Sequence, residues 1–233
     1  MADLSARRDE IAANLAEVEA RIGAACAAAG RARDEVTLIG ITKTWPASDA
    51  ALLRELGLTD LGENRDQEAR PKAAEVTGVR WHFVGQLQTN KAASVASYAD
   101  VVHAVDRSAL AQALGKGARR AGRTVTTLLQ VSLDGDPHRG GALPADVPAL
   151  AAEVAATEGL ELGGVMAVAP LGVDPATSFA LLAGVAAQLR AEHPGATVVS
   201  AGMSGDLEAA IAAGATHVRV GTALLGHRAT PLG

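Results

Sequence analysis

Leu4, Ile11, Leu15, Val18 and Ile22 recur at spacings of three, four or seven residues, which predicts an amphipathic helix over 3–29. Gly30 follows as its stop. Beyond it the pattern changes to short apolar runs rich in β-branched residues. These are VTLIGI (36–41), TDLG (59–62), RWHFVG (80–85), VVHAV (101–105), TTLLQVS (126–132), LELGGVMA (160–167), ATVVSAG (196–202) and HVRVG (217–221). Helical patterns fill the gaps near 48–57, 65–77, 89–97, 107–121, 145–158, 175–192 and 205–213, and a last short helix begins at Thr222. Runs that are continuously apolar rather than alternating predict a parallel sheet covered on both faces. Eight β/α units in about 200 residues predict an α/β fold: one closed (β/α)8 barrel with an extra N-terminal helix over 1–30. A doubly wound open sheet is the alternative. No linker or composition break divides the chain, so 1–233 reads as one domain.

In such a barrel the active site lies at the C-terminal ends of the strands, and the unusual polar residues fall there. Lys43 follows strand 1, Glu63 and Asn64 strand 2, and Gln86, Gln88, Asn90 and Lys91 strand 3. Asp106 and Ser132 follow strands 4 and 5, Met166 ends strand 6, Ser200, Gly202 and Ser204 follow strand 7, and Arg219, Gly221 and Thr222 end strand 8. A lysine desolvated in an apolar barrel mouth has an amine free for Schiff-base chemistry; an ordinary solvated lysine at a strand end is the competing reading of Lys43. Gly202, Ser204 and Gly205 on one loop, with Gly221 and Thr222 opening a helix on the next, suggest a phosphate site built from free backbone N–H groups. Singly, Ser204 reads as a helix N-cap and Gly221 as a turn. Arg219 stands in an apolar strand and needs a partner there, structural or bound. Asn64 and Asp106 read as N-caps, and His82 and His103 as packed strand residues.

The chain carries 21 Lys and Arg against 26 Asp and Glu, a net charge of −5, with no basic block, so no nucleic-acid surface is expected. Five aromatic residues, Trp45, Trp81, Phe83, Tyr98 and Phe179, are few for a stacking platform. The single cysteine, Cys26, excludes an internal disulfide and a multi-cysteine zinc site. The six histidines lack metal-ligand spacing, and Ser132 lacks a G-x-S-x-G setting. The N-terminal segment MADLSARRDEIAANL does not read as a signal peptide, and no apolar run approaches the ~20 residues that span a bilayer. The expected location is the cytoplasm, with no membrane contact.

The segments ITKTWP, LGENRDQEA, WHFVGQLQTNK, VHAVDR, GVMAVAP and SAGMSGDLEAAIAAGATHVRVGTALLG together resemble the pyridoxal 5′-phosphate (PLP) homeostasis proteins, also called proline synthase co-transcribed homologues. The resemblance spans nearly the whole chain. It implies a barrel like the N-terminal domain of alanine racemase, with PLP held by Lys43 as an internal aldimine. It implies that Ser204, Gly221 and Thr222 bind the phosphate, that Arg219 faces the pyridine nitrogen, and that Asn64, His82 and Met166 line the pocket. Arg65 and the QVSLDGDPHRGG loop, with Ser132 and Arg139, depart from the commoner family pattern.

An arginine at the ring nitrogen keeps it unprotonated and the ring a poor electron sink. Racemases with that arginine supply two bases, one of them a tyrosine from a second domain. Here the only tyrosine is Tyr98, in a helix pattern after strand 3. The implied function is a monomeric carrier and buffer of PLP that serves PLP-dependent apoenzymes without turnover of its own. A PLP-dependent amino-acid racemase or lyase is the first rival, and a cofactor-free Schiff-base aldolase the second.

Overall fold

The computed structural model describes residues 2–136 and 138–226. The predicted leading helix is α1 (Ala2–Ala28), which buries Ile11, Val18, Ile22 and Cys26 against the barrel's outer wall. Eight strands follow: β1 (Thr37–Ile41), β2 (Asp60–Glu63), β3 (Arg80–Phe83), β4 (Val101–Val105), β5 (Val125–Gln130), β6 (Leu160–Met166), β7 (Val198–Ser200) and β8 (His217–Val220). Every neighbouring pair is parallel, and β1 pairs with β8, so the sheet closes into a barrel rather than remaining open. The connecting helices are α2 (Ala47–Glu55), α3 (Asp66–Glu75), α4 (Ala92–Ala96), α5 (Ser108–Arg120), α6 (Val147–Ala156), α7 (Pro175–Glu192) and α8 (Leu207–Ala212). A four-residue helix, α9 (Thr222–Leu225), follows β8 as the sequence predicts. No helix among the described residues is long and apolar enough to cross a membrane.

The apolar runs read as continuous because both faces of each strand are covered. Outward-facing residues such as Val102, Leu129 and Val165 pack under α4 to α7, while Leu38, Leu61 and Val220 pack under α1, α2 and α9. Alternation along the strands sends the other set inward. Within the barrel, Val101, Leu128 and Met166 form a small apolar cluster. Beside Ile39 and Ile41, the interior also holds polar groups: Asp60, His82, His103, Thr127, Ser200 and Arg219 are all buried.

Three interior histidines set an acid limit on stability. Burial pushes His82 down despite the opposing Asp60 carboxylate, pushes His103 well down with help from His82, Arg219 and His217, and pushes His217 to about 4. Each is neutral in the fold, but a free histidine charges near 6.5. The unfolded chain therefore binds protons first, and stability falls as pH drops below 6.5 toward the folded values. The expected slope is about 1.4 kcal/mol per pH unit for each histidine in that window. Denaturant midpoints followed from neutrality to about pH 4 check this; a flat profile across the range would contradict it.

Candidate cofactor site at the C-terminal mouth

Lys43 occupies the turn directly after β1, with its side chain exposed. The expectation of a desolvated amine therefore does not hold: the protein positions Lys43 without covering it. The positioning comes from α3. Lys72 donates to the Thr42 carbonyl at 2.9 Å, and Glu68 accepts the Thr44 N–H at 2.8 Å. Residues 68 and 72 are four apart, so one face of α3 grips the peptides on either side of Lys43. Thr44 is held at φ +68°, a conformation that β-branched residues rarely adopt. Lys72 also pairs with Glu63, whose same oxygen accepts the Thr42 hydroxyl at 2.6 Å.

The β7 and β8 ends converge as the sequence suggests. Ser204 is not the N-cap of α8; Asp206 holds that position and accepts the Met203 N–H at 2.6 Å. The Ser204 hydroxyl instead faces α9 and accepts the Ala223 N–H at 3.4 Å. Gly221 precedes α9 and lies against β1: a Cβ added there would sit 3.2 Å from the Ile41 carbonyl oxygen, two residues before Lys43. The loop after β7, through Ser204, thus meets the start of α9, at Gly221 and Thr222, beside the end of the strand that leads to Lys43.

Arg219 is 5% exposed and has no carboxylate within ion-pair distance among the described residues. It donates to the Ser200 hydroxyl at 2.6 Å and the Ala167 carbonyl at 2.9 Å. Burial pushes it down to about 10, with Asp206 opposing at longer range, so it keeps its charge at neutral pH.

Asn64 and Met166 share the wall of a cavity of about 440 Å³ with Gln86, Gln130, Ser132 and Arg139. Lys43, Ser204 and Arg219 are not part of that wall. Gly85 lets the β3 end approach Asn64, because a Cβ there would fall 2.1 Å from the Asn64 carbonyl oxygen. Asn64 is exposed and does not cap α3; the N-cap is Arg65. Asp106 likewise does not cap α5, whose N-cap is Arg107; it accepts the Gly141 N–H at 3.3 Å and pairs with Arg107. It therefore ties the β4 end to the loop after β5. His82 lies in the barrel interior, bonded to Asp60 and His103 at 2.9 Å each, and does not line this cavity. Arg139, from the unusual loop, is held by Asp134 and by the Val168 and Ala169 carbonyls.

Sequence reasoning overlooked the roles of Lys72, Glu68, Asp60 and Ser200. The 68/72 spacing on a predicted helix and the inward parity of positions 60, 82, 103, 200 and 219 were the available signals.

Residues 7–229 match the family model described as alanine racemase, N-terminal domain. A pyridoxal phosphate homeostasis protein of Mycobacterium tuberculosis is 44% identical, with 97% of each chain covered. The protein of that name from Escherichia coli is 37% identical over 94% of this chain and 97% of its own. The structure of PipY from Synechococcus elongatus with PLP bound superposes with a TM-score of 0.81 at 35% identity, covering 93% of this chain and all of the other. Alanine racemase from Corynebacterium glutamicum shares the fold at 15% identity, with a TM-score of 0.71 over 97% of this chain and 62% of its own. With relatives at this identity over 97% of each chain and a family model spanning nearly all of it, the chain belongs to the pyridoxal phosphate homeostasis proteins, within the alanine racemase N-terminal domain family.

Proposed function

We propose that this chain binds PLP at the barrel mouth and holds it reversibly on Lys43, as a carrier and buffer rather than as an enzyme. The observation that carries the reading is one of matching groups. PLP presents an aldehyde, a phosphate and a ring nitrogen with a lone pair. The same end of the barrel presents an exposed primary amine at Lys43, hydroxyl and backbone donors at Ser204, Gly221 and Thr222, and a buried arginine at position 219. The relatives named for PLP homeostasis, and PipY with PLP bound, support the assignment.

When bound, the group supplies an aldehyde that condenses reversibly with a primary amine. Lys43 provides that amine, and its exposure leaves it open to exchange with incoming amines. The Ser204 loop and the start of α9 at Gly221 and Thr222 would bind the anion through the hydroxyl and the N–H groups of a helix start. Arg219 only donates, so it would hydrogen-bond the ring nitrogen without protonating it. Asn64 and Met166 would lie along the open side. His82 would act from beneath, through the interior, rather than as a wall of the pocket. The acceptors of the released group would be PLP-dependent apoenzymes in the cytoplasm, and the carrier itself a monomer, which light scattering checks.

The test is the absorbance of protein loaded with PLP, followed by assay against a panel of amino acids. A yellow band bleached by borohydride, with no racemisation or cleavage, is the expected result. Turnover would instead place the chain with the racemases and lyases. A colourless protein that condenses only with sugar phosphates would mark it as an aldolase. Ser204→Ala should weaken PLP binding by a factor of ten to a hundred, since a hydrogen bond to a charged group contributes about 1.5–3 kcal/mol. Titration of the apoprotein measures this, and an unchanged dissociation constant would remove Ser204 from the site.

A further inference from the structure

Five buried side chains join the two ends of the barrel in one unbroken line. Asp60 Oδ1 lies 2.9 Å from His82 Nε2, and His82 Nδ1 lies 2.9 Å from His103 Nε2. His103 Nδ1 lies 3.1 Å from Ser200 Oγ, which Arg219 Nη1 reaches at 2.6 Å. Asp60 opens β2 at the N-terminal end, whereas Arg219 comes from β8, two residues before the turn that carries Gly221. Nothing in the holding of a ligand at the mouth requires a carboxylate at the floor.

The ends dictate the position of every hydrogen between them. Arginine can only donate, and an ionised carboxylate can only accept. Burial raises Asp60, but hydrogen bonds from His82 and Thr59, with smaller electrostatic attraction from His82 and Arg80, outweigh it and hold the carboxyl below its usual value. His82 and His103 are neutral, so each carries one N–H. His82 must place its hydrogen on Nε2, facing Asp60. Its bare Nδ1 then accepts from His103 Nε2–H. The bare Nδ1 of His103 accepts from the Ser200 hydroxyl, and the Ser200 oxygen accepts from Arg219. All four bonds run in the same sense, and bonds so aligned polarise one another in a low-dielectric interior.

We propose that Asp60 is a positioning residue for Arg219, acting across the barrel through His82, His103 and Ser200 in this single orientation of hydrogens. The line is the remote counter-charge of an arginine that has no adjacent carboxylate. It fixes the guanidinium's rotation and the strength with which its other N–H groups can donate. Its meaning for PLP rests on the reading of Arg219 as the partner of the ring nitrogen; the orientation itself does not.

The opposite arrangement is equally definite. A charged His82 would donate from both nitrogens, forcing the His103 hydrogen onto Nδ1. Nitrogen-15 NMR of histidine-labelled apoprotein at neutral pH separates the two. The expected result is neutral rings at 82 and 103, each with its hydrogen on Nε2. A charged His82, or a hydrogen on Nδ1 of His103, would overturn the proposal whether or not PLP binds. Loading with PLP should then shift the His82 Nε2 proton signal at the far end of the line. Ser200→Ala, which cuts the line, should abolish that shift. Asp60→Asn, which keeps the shape but removes the charge, should weaken PLP binding about tenfold while leaving the borohydride-fixed lysine unchanged. A His82 signal that ignores loading, or wild-type affinity in Asp60→Asn, would contradict the proposal even if the carrier reading stands. Absence of any PLP binding by the wild type would defeat the carrier reading alone.

Discussion

Replacing Lys72 with methionine should destabilise the protein by about 3–5 kcal/mol, the usual cost of stripping one partner from a buried ion pair. Lys72 and Glu63 are 5% and 1% exposed. The ammonium touches one Glu63 oxygen and the Thr42 carbonyl, while the second oxygen, Oε2, has no hydrogen-bond partner among the described residues. Without Lys72 the carboxylate stays buried with only the Thr42 hydroxyl to answer it. The fold must then protonate it or open to water. Urea unfolding of Lys72→Met measures the loss. The double variant Glu63→Leu with Lys72→Met should recover much of it, because it leaves no stranded charge. A single-variant loss below about 1 kcal/mol, the scale of an exposed pair, would show that water reaches the site.

Lys43→Ala should remove every trace of borohydride-fixable PLP while leaving the fold intact. The chain has four lysines. Lys72 is committed to Glu63, Lys116 lies in α5, and Lys91 lies in the turn before α4. Lys91 follows β3 only at a distance, eight residues past Phe83, whereas Lys43 stands two residues past the end of β1. The Lys43 side chain is exposed, so truncation costs no core packing and the thermal midpoint should not move. Ser204, Gly221, Thr222 and Arg219 remain, so the variant should still bind PLP reversibly, without the covalent contribution. Dialysis should then remove the group from the variant faster than from the wild type. Wild-type labelling of the variant would mean that another amine does the work.

The sequence resolved the barrel because parallel strands covered on both faces read as unbroken apolar runs, and each was followed by a helical pattern. Closure was the step that sequence left open, since an open sheet has the same strands; the pairing of Ile39 with Arg219 and of Gly40 with Val220 settles it. The Lys43 and Ser204–Thr222 positions were legible because unusual residues collect at strand ends. Capping was less so. Asn64 and Asp106 have the right side chains one residue too early, and the real caps, Arg65 and Arg107, make no side-chain capping bond. The interior line from Asp60 was only partly legible. Arg219 stood out as a charge in an apolar strand, and the inward parity of its partners could be read, but only the register that sets His82 against Gly62, and Ser200 against Met166 and His217, brings them into contact.

The most direct test of the central claim is borohydride reduction of the PLP-loaded wild type, followed by digestion and mass spectrometry. The account predicts one modified residue, Lys43, carrying the reduced pyridoxyl phosphate. A modification confined to Lys72, Lys91 or Lys116, or no fixed group at all, would contradict it.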